Sequence, residues 1–316
     1  MYHYCTLFDR NYLFKGLALY QSLRRHAGPF ELWVVCLDAE TREVLSRLEL
    51  PHVRLISLEA IEEAEPALLE AKSNRNQVEY FITCKPFVLL YVLRQHPHVE
   101  VITHLDADLF FFSTPEPIYS VFQNHSILIV EHGYSPRRVS KFREKFGVYQ
   151  AGLVTFRNDE EAFRCLRHWS ALCLEACPAE PAEGRFGDQK YLDDWPRRFR
   201  NVAVLRNKGA NVGPWDIHNY RIARAKDTLL VDSDPLMFFH FSQFRIYSPY
   251  LFAQVFVYIT RKQRKLIYGA YIAELQRAIR TVRSVRPDFN YGFFRYRAAL
   301  PRRRQGLKRF MVSFPR

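Results

Sequence analysis

Two aspartates one residue apart, Asp106 and Asp108, carry the strongest chemical signal in this sequence. They follow an apolar, β-branched run within residues 99–112, VEVITHLDADLFFF. Side chains at positions i and i+2 of a strand point to the same side, so the two carboxylates can converge on one cation where the strand ends. A close pair of like charges would otherwise be costly to bury, so a bound metal or a solvent-filled cleft is expected beside it, and we favour the metal. The pattern therefore predicts a divalent-metal site at the carboxyl end of a sheet strand, where open α/β sheets bind ligands.

The Asp-x-Asp spacing is not specific by itself, because the chain repeats it at Asp232 and Asp234. The first pair is distinguished by the apolar strand pattern before it and by the polar residues described below. We therefore favour Asp106 and Asp108 as the metal site.

The elements that must position these carboxylates alternate between predicted strands and predicted helices. Helical periodicity runs through residues 11–25, and Thr83 and Pro86 are expected to open a helix that contains Lys85. Strands are predicted at Tyr2–Phe8, Glu31–Leu37, Val53–Ile56, Ser126–Val130, Gly152–Phe156 and Leu236–Phe241, the last of the chain. The alternation predicts an α/β fold with a mostly parallel, Rossmann-like sheet flanked by helices.

Length and composition bound the kind of protein. The 316 residues are 48% hydrophobic, which suffices for a large core, and no apolar run of about eighteen residues would span a membrane. The amino terminus lacks the apolar core of a signal peptide, and six scattered cysteines favour buried thiols in a reducing cytosol. Neither Gly-x-Gly-x-x-Gly nor a P-loop motif occurs, which disfavours nucleotide sites of those two kinds. We expect a cytoplasmic protein.

The net charge of +13 is concentrated at the carboxyl end of the chain. Residues 261–316 contain sixteen Lys or Arg against two acids, so residues 1–260 sum to about −1. The apolar positions of this region recur at helical spacing, with arginines off that face: Tyr268, Ile272, Leu275, Ile279 and Val282. Such a helix with an aromatic and basic tail is typical of an interfacial membrane segment, although it could also pack on the protein body. We expect residues 261–316 to dock on the anionic inner face of the cell membrane, and we expect no specific nucleic-acid partner.

Several segments, taken in order, resemble the GT-A fold glycosyltransferases, which take a sugar from a nucleotide-sugar donor. The resemblance spans roughly residues 2–245. It is closest to bacterial enzymes of the surface-polysaccharide and lipopolysaccharide type, and more distant to the glycogenin-related retaining galactosyl- and glucosyltransferases. The segments that carry it are TLFDRNYLFKGLALYQSL, CKPFVLLYVL, LDADLFFF, YQAGLVTFRND, FGDQKYLDDWP, NVGPWDI and the late HF.

The resemblance implies a metal-dependent reaction. It adds His240 to Asp106 and Asp108 as a third ligand, and a histidine ligand favours Mn²⁺, with Mg²⁺ as the alternative. The ion would neutralise the diphosphate of the donor as the glycosidic bond breaks. Without the resemblance, His240 would be interpreted as a core histidine.

The resemblance also implies where the donor binds. Thr6, Asp9 and Tyr12 match the place where such enzymes hold the base, and an aromatic ring that can stack on uracil favours a UDP-sugar. Lys85 matches a basic residue directed at the donor phosphates or sugar. The structural alternatives are an N-cap for Asp9, packing for Tyr12 and a solvated helix-end lysine for Lys85.

Three further residues complete the expected donor-binding set. Gln150 stands where the family usually has Asn and reaches one methylene further; it is expected to face the donor sugar, and Gly152 follows in the same segment. Trp215 lies in NVGPWDI, which departs from the commoner NVAPWN, and it could also form a wall for the acceptor.

Asp188 and Gln189 match a paired acid and amide that face the donor sugar or the acceptor. Asp188 is the preferred catalytic carboxylate, which would orient the acceptor hydroxyl or stabilise an oxocarbenium-like centre. We expect a hexosyltransferase, with retention favoured, that acts on a saccharide or lipid-linked saccharide in cell-surface polysaccharide synthesis. Residues 1–246 would form the catalytic domain and residues 247–316 a helical basic extension. A haloacid-dehalogenase-like phosphohydrolase and a protein that binds anionic surfaces are the alternatives.

Overall fold

A seven-stranded sheet forms the centre of the molecule, which a computed structural model describes over residues 1–136, 139–255 and 259–295 and, for the backbone alone, over 310–313. The strands are β1 Tyr2–Phe8, β2 Phe30–Cys36, β3 Val53–Ser57, β4 Val101–Leu105, β5 Leu109–Phe111, β6 Ile127–Glu131, β7 Tyr149–Arg157, β8 Val202–Leu205, β9 Ile222–Ala225, β10 Thr228–Val231, β11 Asp234–Pro235, β12 Phe238–His240, β13 Phe244–Ser248, β14 Leu251–Gln254 and β15 Phe310–Ser313. The α-helices are α1 Leu13–His26, α2 Ala39–Leu48, α3 Leu58–Ala64, α4 Ala67–Asn74, α5 Gln77–Gln95, α6 Glu116–Phe122, α7 Val139–Phe146, α8 Glu160–Glu175, α9 Trp195–Arg198, α10 Arg261–Gln263 and α11 Gly269–Val285. Short 3-10 segments cover Lys190–Asp194 and Ile217–Asn219, and a π-helical turn covers Arg264–Tyr268.

The sheet has the order β3-β2-β1-β4-β7-β6-β8, and β7 alone runs antiparallel to its neighbours in it. The predicted fold class, an α/β protein with a mostly parallel sheet flanked by helices, is confirmed. The central strands are apolar on both faces, as expected for a sheet that helices cover on both sides, and two separate apolar clusters make up the core. The parallel strands bring their carboxyl ends, including that of β4, to one edge.

The helix that carries Lys85 is longer than predicted. α5 begins after Asn76, whose side chain accepts a hydrogen bond from the backbone N–H of Glu79, and it continues through Pro86. The Thr83 hydroxyl donates to the Glu79 carbonyl one turn earlier, as it does inside a continuous helix. The prediction that Thr83 and Pro86 open this helix is therefore wrong, because the cap at Asn76 starts it earlier.

Strands continue beyond β12, so the prediction that residues 236–241 form the last strand is wrong. β13 pairs with β14, and β14 pairs with β15. Residue 246 lies within β13, and the division into residues 1–246 and 247–316 stays a prediction. Among the described residues, no helix is long and apolar enough to cross a membrane.

The apolar face of α11 packs on the body of the protein. The five periodic apolar residues predicted for this helix are buried in the same core cluster as α1: Tyr268, Ile272, Leu275, Ile279 and Val282. At the rim of this contact, the Arg25 guanidinium lies 2.7 Å from the carboxylate of Glu274. The expectation that this face docks on a membrane is therefore corrected for α11, because protein side chains cover it. Most of the aromatic and basic tail lies outside the described residues.

Candidate active site

Two backbone pairings bring Asp106, Asp108 and His240 together. β4 ends at Leu105, and the Asp106 N–H donates to the Gly152 carbonyl at 2.8 Å. β5 then pairs antiparallel with β12 in a register that sets His240 opposite Leu109, and the Phe241 N–H donates to the Asp108 carbonyl at 2.9 Å. The histidine therefore reaches the aspartates because β12 is fastened to the strand that directly follows them.

The three side chains are arranged to hold a divalent cation. His240 Nε2 lies 3.0 Å from Asp108 Oδ1 and 3.9 Å from Asp106 Oδ2. One ligand atom from each residue lies within 4.8 Å of the other two, a grouping found at this place alone among the described residues. In an octahedral shell with ligands at about 2.1 Å, neighbouring ligand atoms are about 3 Å apart and opposite ones about 4 Å. Two carboxylate oxygens and an imidazole nitrogen at these separations fit such a shell.

Lys85 connects the predicted metal ligands with the predicted catalytic acid. Its buried ammonium lies 3.0 Å from Asp106 Oδ1 and 2.8 Å from Asp188 Oδ2, and it donates to the Ala151 carbonyl at 3.1 Å. Lys15, also buried, places its ammonium 3.8 Å from Asp108 Oδ2. The interpretation of Lys85 as a solvated helix-end lysine is therefore wrong, because three polar groups enclose its ammonium.

The carboxylates of the site differ in their pKa values. Burial alone would raise the pKa of Asp106, but the Lys85 ammonium and the nearby histidines hold it well below its usual range. For Asp108, burial is likewise outweighed by His240 and Lys15, which lower the pKa. Burial wins at Asp188, whose pKa is raised despite Lys85. The two predicted metal ligands are thus held as anions, as ligation of a cation requires.

His104 is a site residue that the sequence reasoning missed. Its Nε2 lies 3.0 Å from Asp106 Oδ1, and burial lowers its pKa to about 4. A positional signal was present, because His104 lies in β4 two residues before Asp106, whose N–H continues the pairing with β7 by one residue, so the two side chains face the same side.

Gln150 and Gly152 contact the proposed metal ligands His240 and Asp106. Gln150 Nε2 lies 2.6 Å from His240 Nδ1, and Gln150 Oε1 accepts a hydrogen bond from the Gly152 N–H at 2.7 Å. A Cβ at position 152 would lie 2.4 Å from Gln150 Nε2 and 2.7 Å from Asp106 Oδ2, so a larger residue would have to displace one or both of these side chains. Gln150 thus orients the His240 ring through Nδ1, the nitrogen that does not face the aspartates. The predicted contact of Gln150 with a donor sugar stays a prediction.

The residues predicted to hold the base lie at the end of β1. The Asp9 carboxylate accepts hydrogen bonds from the backbone N–H groups of Asn11 and Tyr12 and so shapes the turn before α1. Tyr12 is 41% exposed, and the Lys15 ammonium lies 4.1 Å from the centre of its ring. The ring is therefore not buried in the core. Thr6 is buried, and its hydroxyl has no hydrogen-bond partner within the described ranges.

Residues that follow α11 reach the same turn. The Arg10 guanidinium lies 4.4 Å from the centre of the Tyr291 ring. Gly292 adopts a φ of +82°, and a Cβ there would lie 3.0 Å from the Asn11 carbonyl oxygen. The carboxyl-terminal extension therefore borders the turn that presents Asp9 and Tyr12.

Gln189 and Trp215, the last two predicted site residues, make different contacts. Gln189 donates its amide N–H to the Phe146 carbonyl at 2.7 Å. Trp215 is half-buried and meets the His240 ring edge-on at 5.4 Å between centroids. A Cβ at position 213 would lie 2.5 Å from the indole of Trp215, so glycine in NVGPWDI lets the ring fold back over the backbone.

Comparison of the sequence with known proteins identifies two relatives, both described as uncharacterized. No protein-family model matches the chain. It is 35% identical over 296 residues to the uncharacterized protein YfnD of Bacillus subtilis (strain 168), which covers 92% of this chain and 94% of YfnD. It is 32% identical over 293 residues to the uncharacterized protein YfnF of the same strain, which covers 91% of this chain and 96% of YfnF.

Among solved structures, the galactosyltransferase LgtC in complex with donor and acceptor sugar analogs matches with a TM-score of 0.56 and 11% identity, over 86% of this chain and 95% of LgtC. A structure of an LgtC active-site mutant matches with a TM-score of 0.51 and 12% identity, over 86% of this chain and 94% of that one. The predicted GT-A fold is confirmed.

Proposed function

Because the chain belongs to the same family as YfnD and YfnF and has the GT-A fold, we propose that it is a metal-dependent glycosyltransferase. It would transfer a hexose from a nucleotide-diphosphate sugar, with a UDP-sugar favoured, to a saccharide or lipid-linked saccharide acceptor. The observation that carries the proposal is the grouping of Asp106, Asp108 and His240 at the carboxyl edge of the sheet.

The charges of the site support a divalent cation together with an anionic substrate. Three carboxylates, those of Asp106, Asp108 and Asp188, face the ammonium groups of Lys85 and Lys15. With the carboxylates ionised, the three carboxylates and two ammonium groups sum to about one net negative charge. A bound Mn²⁺ or Mg²⁺ would reverse that sign and supply a Lewis acid for the departing nucleoside diphosphate. The donor diphosphate would then meet a positive site at the end of β4.

The residues of the chain have separate roles in this proposal. Tyr12 stacks on the base of the donor, since its ring is exposed at the end of β1. Lys85 fixes the Asp188 carboxylate relative to Asp106. Asp188 would orient the acceptor hydroxyl or stabilise positive charge at the anomeric carbon as its bond to the diphosphate breaks. We favour retention of configuration, on the resemblance alone.

The experiment combines Mn²⁺ with a panel of UDP-, GDP- and TDP-sugars and measures donor-induced thermal stabilisation and nucleotide release. We expect one donor to stabilise the wild type in the presence of Mn²⁺ and to be turned over. Asp106→Asn should lose at least about a hundred-fold in turnover, the scale for removing one electrostatic group from a transition-state site. Asp232→Asn, in the second Asp-x-Asp pair, is the matched control and should behave as wild type. Equal donor responses from the two variants would contradict the proposal.

We also propose that the carboxyl-terminal extension holds the enzyme at an anionic membrane on the cytoplasmic side, where a lipid-linked acceptor in cell-surface polysaccharide synthesis would lie. The basis is charge, since residues 296–316 contain seven Lys or Arg and no acid. Vesicles with about one-third anionic lipid should pellet the full chain at low salt more strongly than a chain that ends at residue 295, which keeps α11. Equal pelleting of the two chains would refute membrane docking by this tail.

A further inference from the structure

A buried lysine on the first helix faces the proposed metal site. Lys15 lies in the first turn of α1, and its side chain is 5% exposed. Its ammonium lies 3.8 Å from Asp108 Oδ2, which is its one ion-pair partner in the part of the chain that the structure describes. Burying an ammonium is costly unless an opposite charge accompanies it, so the position of Lys15 depends on Asp108.

Lys15 and Lys85 face the two proposed metal-binding aspartates in different ways. Lys85 lies 3.0 Å from Asp106 Oδ1, which is a hydrogen-bond distance. The 3.8 Å between Lys15 and Asp108 Oδ2 is too long for a hydrogen bond, so Lys15 balances the charge of this carboxylate without occupying its lone pairs. The other oxygen, Asp108 Oδ1, lies 3.0 Å from His240 Nε2. A cation held by Asp108 Oδ1 and His240 would therefore share one carboxylate with Lys15.

The charge of Lys15 acts against a metal ion that binds alone. Two cations beside the same buried carboxylate repel each other strongly, because little water lies between them to screen the charges. The three carboxylates of the site with Lys85 alone would sum to about −2, and Lys15 reduces this sum to about −1. Lys15 therefore lowers the attraction of the site for a divalent cation.

The same charge favours a bound diphosphate. The Lys15 ammonium lies 4.1 Å from the centre of the Tyr12 ring, the proposed stacking surface for the base of the donor. Lys15 thus lies between the place proposed for the base and the place proposed for the metal. The diphosphate of a nucleotide-sugar would join these two places, and a lysine ammonium is a common partner of phosphate oxygens.

We propose that Lys15 disfavours binding of the metal ion alone and favours binding of the nucleoside diphosphate to the metal-loaded site, so that the two ligands are held together. This inference rests on the proposed transferase function. The two effects have opposite signs because the metal is a cation and the diphosphate is an anion. A lysine that only stabilised the fold would change both affinities in the same direction when it is removed.

The test compares the full wild-type chain with Lys15→Met, which keeps the length of the side chain without its charge. The first measurement is the dissociation constant of Mn²⁺ alone, from the decrease of the EPR signal of the free ion. The second is the dissociation constant of UDP, GDP and TDP at saturating Mn²⁺, by calorimetry. We expect Lys15→Met to bind Mn²⁺ alone at least about ten-fold more tightly, and the nucleotide at least about ten-fold more weakly.

Two further variants separate charge from shape. Lys15→Arg keeps the charge and should recover part of both changes. Lys15→Gln removes the charge but keeps a hydrogen-bond donor for Asp108, so it should give the same two changes as Lys15→Met and replaces that variant if it does not fold. The matched control is Lys208→Met, which removes the lysine 3.1 Å from Asp232 and should leave both affinities unchanged.

The signs of the two changes decide the outcome. An Mn²⁺ affinity that is unchanged or weaker without the Lys15 charge would overturn the inference, and so would a nucleotide affinity that is unchanged or stronger. The wild type separates this inference from the proposed function. If it binds Mn²⁺ and a nucleotide but the variants lack the opposite changes, the role of Lys15 alone fails. If it binds neither Mn²⁺ nor any of the three nucleotides, the transferase proposal fails as well.

Discussion

The two Asp-x-Asp pairs of this chain share a spacing and differ in everything around them. Asp106 and Asp108 lie where the central strand β4 ends, among buried lysines and histidines. Asp232 lies in the exposed turn between β10 and β11, with a φ of 56° that aspartate tolerates in turns. Its carboxylate accepts a hydrogen bond from the Arg221 N–H at 2.9 Å and so connects the start of β9 to the end of β10. The first pair is surrounded by charged side chains at a strand end, and Asp232 of the second pair stabilises a turn through a backbone hydrogen bond.

The cations that face the two pairs show why the first can do chemistry. The Lys85 side chain is 7% exposed and lies between Asp106 and Asp188. Lys208, the cation beside Asp232, is 54% exposed and 3.1 Å away. Surface pairs of the second kind contribute little because water and salt screen them, whereas a buried cluster is balanced only if each charge keeps its partners. Whether an Asp-x-Asp motif can bind a metal or take part in a reaction therefore depends on which side chains the fold places around it.

The largest expected difference between the pairs comes from removing their lysines. Lys85→Met leaves Asp106 and Asp188 facing each other without a cation, and breaking a buried pair in this way typically costs about 3–5 kcal/mol. Lys208→Met should change the free energy of unfolding by less than about 0.5 kcal/mol. Urea unfolding at pH 7 with EDTA measures both. If the two variants lose the same stability, the contrast between a buried and an exposed pair does not hold.

The sequence predicted the elements that local patterns determine. Apolar runs identified β1, β2 and β4 and placed Asp106 and Asp108 at a strand end, because strand periodicity is a local property. The two aspartates lie in the turn between β4 and β5, so the strand alternation assumed for them does not apply. His104 lies two residues before Asp106, but a histidine inside an apolar strand has the sequence pattern of a core residue, so the sequence alone does not single it out. The start of α5 was missed since Pro86 outweighed the cap at Asn76, although a long helix packed on a sheet tolerates an internal proline.

Tertiary neighbours could not be read from the same patterns. The periodicity of α11 showed one apolar face, but an apolar face is compatible with a membrane and with a protein core, and only the contact with α1 decided between them. The contact of Trp215 with His240 has no local signal either, because it depends on the turn in which Gly213 makes room for the indole.

A smaller expected difference between the pairs concerns acid. The folded-state pKa of His104 is about 4, below the value of about 6.5 for an unfolded histidine, so the unfolded chain takes up the proton first. Stability should therefore be complete above about pH 6.5 and fall as the pH drops towards 4, with about 2 kcal/mol from this group between pH 7 and pH 5. His104→Gln should make the slope in urea unfolding with EDTA shallower by about that amount, and the remaining slope comes from other histidines whose pKa burial lowers, such as His132. Asp232→Asn should leave the slope unchanged. The pKa of Asp232 is lowered by its hydrogen bond from the Arg221 N–H, so this carboxylate keeps its charge between pH 7 and pH 5. A slope in His104→Gln as steep as that of the wild type would show that His104 is not held neutral beside Asp106.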